Sequence, residues 1–164
     1  MNADQILAAI DSQDDALPRR ALEEAMARPG EVTEPLLGLV EEMVRHPTRV
    51  LDPDNNSLGH FIALYLLAQF RETRTLPLLV AALSLPAADV EELFGDALLG
   101  DMACILASVS GGDTEPIRPL IEGSEIHPRA RRSALEALFT LVYCRVVERQ
   151  PVIDYLAELF RGSR

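Results

Sequence analysis

Apolar residues recur along this chain at helical spacing, in blocks that repeat one another. The phrase TEPLLGLV (33–40) returns as TLPLLVAAL from Thr75 and as TEPIRPLIEG from Thr114. With Pro35, Pro77, Pro116 and Pro151 as anchors the intervals are 42, 39 and 35 residues, near the ~40-residue period of two-helix repeats of the HEAT and armadillo type. One residue after each anchor stand Leu36, Leu78, Ile117 and Val152, and five after stand Val40, Ala82, Ile121 and Leu156. Upstream, IALYLLA (62–68), DMACILA (101–107) and EALFTLV (136–142) each end nine residues before their proline, as does ALEEAM (21–26). Each unit reads as helix, short turn, helix.

Thr-x-Pro has a chemical reason to recur. A threonine hydroxyl can accept from a free backbone N–H at a helix start, and a proline in the first turn gives up only an N–H that had no partner. Thr33, Thr75 and Thr114 are therefore expected as N-caps, and Arg149 takes that place in the fourth unit. The stretches ARPGEVT (27–33), FRETRT (70–75) and SVSGGDT (108–114) are expected as turns. Residues 3–10 form a short amphipathic helix, and PRRALEEAMAR opens another at Pro18, with Asp15 or Ala16 at its cap.

No segment alternates apolar and polar residues with β-branched enrichment, so no strand is assigned. The expected fold is all-α: an α-α superhelix, a HEAT- or armadillo-like short solenoid of about four helical hairpins, filling residues 1–164 as one domain. Two insertions interrupt the array. HPTRVLDPDNNSLGH (46–60) is the longest irregular connection, and LPAADVEELFGDALLGD (85–101) holds an extra short helix from Ala87 to Phe94. Insertions in repeat proteins map to one edge and can form a binding face.

Composition narrows the picture. Hydrophobic residues make up 48% of the 164, enough for a real core. No apolar run reaches bilayer length, and the acidic start MNADQILAAIDSQDD lacks the pattern of a secretory leader, so a cytoplasmic location is expected. The two cysteines, Cys104 and Cys144, sit inside apolar helical patterns and are expected as buried thiols. The net charge of −11 opposes a phosphate-backbone binder, so nucleic acid is not an expected partner. Residues 1–54 hold twelve acidic and five basic side chains, whereas residues 114–164 hold seven and eight.

The stretches GHFIALYLLAQFRETRTLPLLVAALSLP (59–86) and GDALLGDMACILASVSGGD (95–113) resemble a bacterial family catalogued as a domain of unknown function, DUF1186. The resemblance runs from the opening helix to about Phe160. It implies an α-superhelix related to HEAT repeats and carries no activity, so no catalytic residue transfers. The resemblance also implies a small Cys-rich metal-binding motif at the end of longer members, a pattern not expected within residues 1–164.

Candidate chemistry is sparse. Asp52, Asp54 and Asn56 have the alternation of a calcium loop, but positions six and twelve hold Ser57 and Ala63 where glycine and glutamate are required, so a turn of Asx side chains is expected. Arg129, Arg131 and Arg132 open a helix whose dipole favours negative charge, which marks an anion or an acidic partner segment as a candidate ligand; pairing with the chain's own acids is the plainer reading. His46, His60 and His127 lie near helix ends, and His60 adjoins the acidic insertion. The pairs Glu23/Glu24, Glu41/Glu42 and Glu91/Glu92 diverge by about 100° and read as solvated faces. Aligned across repeats, such faces would make an acidic groove that draws basic peptides.

These observations favour a non-enzymatic module that binds another protein, a basic peptide being one candidate, with no cofactor and no membrane contact. The alternative is a hydrolase or lyase using a polar site of Asp52, Asp54, His60, Asp96 and Asp101, which requires His60 to meet Asp96 or Asp101 in one pocket. The last helix, PVIDYLAELFRG, is apolar at Val152, Ile153, Leu156, Leu159 and Phe160. That breadth suits a homodimer contact or a missing C-terminal extension.

Overall fold

A computed structural model describes residues 1–12, 17–52, 54 and 57–162. Among these the chain is all-helical, with no strand. In chain order the helices are α1 (Ala3–Ile10), α2 (Arg19–Ala27), α3 (Pro29–Arg45), α4 (Pro47–Val50), α5 (Gly59–Phe70), α6 (Thr75–Leu83) and α7 (Ala87–Phe94). They continue as α8 (Met102–Val109), α9 (Arg118–Glu122), α10 (Pro128–Tyr143) and α11 (Arg149–Gly162), with 3-10 turns at Gly95–Leu98 and Glu115–Ile117. No described helix is long and apolar enough to cross a membrane.

Contacts follow sequence order. Helix α3 packs on α5, α5 on α8 and α8 on α10, while α3 also meets α6 and α6 meets the 3-10 turn before α9. A single cluster of buried apolar side chains runs from Ile6 in α1 to Val152 in α11. The rows anchored on proline keep their register: Leu36, Ile117, Val152, Val40, Ala82 and Ile121 are buried, and Leu78 and Leu156 half-buried. The extra helix stands at Ala87–Phe94 as the insertion suggests, and its Phe94 ring meets Phe61 of α5 edge-on at 6.1 Å.

The capping expectation fails at all three threonines. Helix α3 begins at Pro29, so Thr33 lies inside it and its hydroxyl donates to the Pro29 carbonyl at 2.7 Å. Pro29 already fills the first helical position, and Val32 and Leu36 both bury completely, so the core face extends back a turn and leaves Arg28 alone between α2 and α3. Pro35 is thus interior to α3, where it deletes an amide of the helix ladder. Thr75 is the first residue of α6, with its hydroxyl buried and without a partner. Thr114 precedes its 3-10 turn without a side-chain bond. Acids bind the free amides instead: Glu72 accepts from the Arg74 N–H at 3.1 Å and Asp113 from the Glu115 N–H at 3.1 Å. The expected caps Asp15 and Ala16 lie outside the described residues.

Helices α5 and α10 end by one device. Arg71 and Arg145 adopt left-handed φ of 54° and 59°, and the next N–H reaches back five residues, Glu72 to Leu67 and Val146 to Leu141, both at 2.9 Å. Glycine usually fills such positions, because a Cβ there costs about 1 kcal/mol.

Both cysteines are exposed, against the expectation of buried thiols. On α8 the inward positions go to Met102, Ala103, Ile105, Leu106 and Val109, which turns Cys104 outward. Cys144 falls just past the end of α10.

Candidate functional site

The insertion after α3 builds a polar cleft against the start of α5. Asp11 ends α1 as its C-cap, Leu39 and Glu42 come from α3, Arg49 and Val50 from α4, and Ser57 and His60 from the entry to α5; together they line about 280 Å³. Ser57 is the hinge of the arrangement. Its hydroxyl donates to Asp11 Oδ1 at 2.5 Å and accepts from the Gly59 N–H at 3.0 Å, tying α1 to α5. Position 59 has no room for a side chain, since a Cβ would stand 2.5 Å from Asp11 Oδ1 and 3.1 Å from Asp11 Cα. Arg49 donates to Glu42 Oε1 at 2.5 Å across the mouth.

His60, half-buried, stacks obliquely on Phe61 with centroids 4.8 Å apart. Burial holds its imidazole below the usual histidine range, opposed by a hydrogen bond to the Leu93 backbone and by the nearby Asp11 charge. The ring is therefore neutral near pH 7, with one nitrogen engaged by the carbonyl of Leu93 on α7 and the other left as an acceptor.

The other expected site residues are dispersed. Asp52 Oδ1 accepts from the Asp54 N–H at 2.9 Å, an Asx turn as anticipated, while Asn56 lies outside the described residues. Asp96 is exposed in the 3-10 turn after α7. Asp101 accepts from Tyr65 Oη at 2.5 Å, and burial followed by that bond pushes the phenol up to about 12. Neither Asp96 nor Asp101 lines the His60 cleft. Among the described residues, no three His, Cys, Asp or Glu side chains gather as a metal site.

At the start of α10 the arginines find internal partners. Arg129 pairs with Glu91 of α7 at 2.7 Å and Arg132 with Glu136 at 2.7 Å, while Arg131 Nε donates to the Ile121 carbonyl at 3.2 Å. His127 caps this helix, Nδ1 accepting from the Arg129 N–H at 3.2 Å, with Nε2 3.2 Å from Glu91. Of the three, Arg129 and Arg131 link α10 to α7 and α9, while Arg132 pairs within α10.

Asp11, Glu42, Arg49 and Ser57 do not stand out as a group in the sequence. Asp11 and Ser57 are 46 positions apart, and no local pattern connects them. The faint signal was Gly59 at a helix start, where the backbone must pass close to another chain segment.

Known proteins offer family membership and no activity. A family described as "Protein of unknown function (DUF1186)" matches residues 1–163. Two relatives, uncharacterized proteins of Chlamydia muridarum and Chlamydia trachomatis serovar D, are each 36% identical over 159 residues, or 97% of this chain. The chain spans 63% and 62% of their respective lengths. No solved structure matches. With one family description covering the sequence from α1 through α11, the chain belongs to the DUF1186 family.

Proposed function

We propose that the chain is a short HEAT-like superhelix acting as a non-catalytic docking module for another protein. The observation that carries this reading is where its aromatic residues stand. Of its five phenylalanines and three tyrosines, Tyr65, Phe139, Tyr143 and Phe160 are exposed. Aromatic side chains dominate cores and interfaces, and clustered exposure favours the second role. Phe139 and Tyr143 are one helical turn apart on α10, Tyr143 at 89% exposure, and Val146 follows them. The ordered stacking of hairpins supports the superhelix, because such arrays present one continuous surface.

Affinity capture with the whole chain as bait tests this reading. A protein retained by the natural chain and lost from a Phe139→Ser/Tyr143→Ser variant of unchanged circular dichroism is the expected result. Equal retention by both overturns the α10 face, and retention by neither overturns the module.

Self-association through α11 has separate support. Only Val152 of that helix is buried, whereas Ile153 and Phe160 are exposed at 39% and 69%. Sedimentation velocity of natural chain and Phe160→Glu decides it: a dimer that becomes a monomer supports the contact, and a monomer in both removes it.

A further inference from the structure

The α1–α3–α5 cleft shares no residue with the α10 face, and its chemistry is different. We propose that it receives an alkyl guanidinium or ammonium group, whose place in the free protein is held at Glu42 by the chain's own Arg49.

Lining chemistry selects the ligand. Asp11 and Glu42 offer carboxylate oxygens, and His60 offers the ring nitrogen that the Leu93 carbonyl leaves free. Two carboxylates and a histidine in one lining offer acceptors, suited to a group that only donates. Leu39 and Val50 complete the wall, and they match the alkyl stem such a group carries behind its charged head. An anion would meet two carboxylates against one guanidinium here, so charge favours a cation.

Arg49 displays the pairing. Its guanidinium binds Glu42 at 2.5 Å, yet its side chain is 73% exposed and its helix, α4, buries no residue. A surface pair of this kind contributes roughly 0–1 kcal/mol, so Glu42 gives up little when another guanidinium takes its carboxylate. The cleft also lies in the most acidic part of the chain, twelve acids against five bases in residues 1–54, a field that concentrates cations at its mouth.

Two sources can supply this group: a free amine, or a lysine or arginine side chain of a polypeptide. NMR titration of the whole chain with agmatine, and separately with an acetylated, amidated Gly-Gly-Arg-Gly-Gly peptide, separates them. Saturable shifts at His60 and Ser57 with agmatine establish the cation site, and tighter binding of the peptide assigns it to a polypeptide. Glu42→Gln is expected to weaken agmatine binding at least tenfold, and Arg49→Met to strengthen it severalfold by vacating the carboxylate. Both positions are exposed enough for the fold to tolerate the change, which the melting curve verifies. No saturable shift at His60 with either probe overturns the proposal. So does equal weakening by Glu42→Gln and by Glu158→Gln on α11, a helix with no residue in the cleft, which would reveal only diffuse attraction to an acidic surface. Neither result bears on partner capture by the α10 face, so the two readings fail separately.

Discussion

Replacing Phe94 with alanine asks whether α7 is part of the core or an appendage laid over it. Phe94 is 1% exposed at the end of an eight-residue helix whose other buried side chains are Val90 and Leu93. Its ring meets Phe61 edge-on at 6.1 Å, an arrangement that adds about 0.5–1.5 kcal/mol to area burial alone. Buried Phe→Ala changes cost about 3–5 kcal/mol, the spread reflecting how far the surroundings collapse into the void. The upper half of that range fits here, since Phe61 is held by the core cluster behind it and cannot easily follow. For a chain of this size each kcal/mol lowers Tm by roughly 2–4 °C, so a fall of about 8–20 °C is expected. Urea unfolding followed by circular dichroism gives the free energy directly, with Phe94→Leu as a milder control. The same variant is expected to move the His60 resonances, since the Leu93 carbonyl that engages His60 is adjacent in sequence. A loss under about 1 kcal/mol, the scale of an ordinary surface substitution or less, would contradict this account and make α7 a dispensable cover.

Other substitutions have signs that discriminate. Thr75→Val is expected to raise stability by about 1 kcal/mol in urea titration, because it removes a buried hydroxyl without a partner; a genuine N-cap would lose about 0.5–2 kcal/mol instead. Ser133→Ala is expected to cost about 1–3 kcal/mol, since the fully buried Ser133 Oγ donates to the Leu98 carbonyl at 2.5 Å and its loss leaves that acceptor bare. Folding holds His60 below its unfolded pKa of about 6.5, so the unfolded chain takes up the proton first. The contribution of His60 is therefore complete above pH 6.5 and declines as pH falls below that value toward the folded pKa. Melting curves of the natural chain and His60→Gln between pH 8 and pH 5 measure this as a flatter acid limb in the variant.

Much of the helical plan was legible because burial imposes a period. The rows beginning at Leu36 and Val40 stay buried or half-buried at every recurrence, and α7 was visible as an apolar block outside them. Helix starts were not legible, because Thr-x-Pro satisfies the rules for a first turn at Thr33 as well as anywhere. What decided that case was Val32, whose burial pulls the helix back to Pro29. The left-handed arginines were hidden for a related reason: turn chemistry points to glycine, and these turns take the strain with Arg71 and Arg145. The cleft was the least legible part. Asp11, Glu42, Ser57 and His60 meet only because α1, α3 and α5 pack together, and such a grouping leaves no mark at short range.

Because α8 packs on α5, α6 and α10 whereas α11 packs chiefly on α10, damage to this protein is uneven in reach. An injury in α11 propagates chiefly through α10, while one in α1 meets α2, α3 and α5 and one in α8 is felt on three sides. Amide exchange should consequently slow from the ends toward α8, the helix braced by α5, α6 and α10. The terminal helix α11 then wears as a sacrificial layer, and a protease that trims it leaves the middle standing.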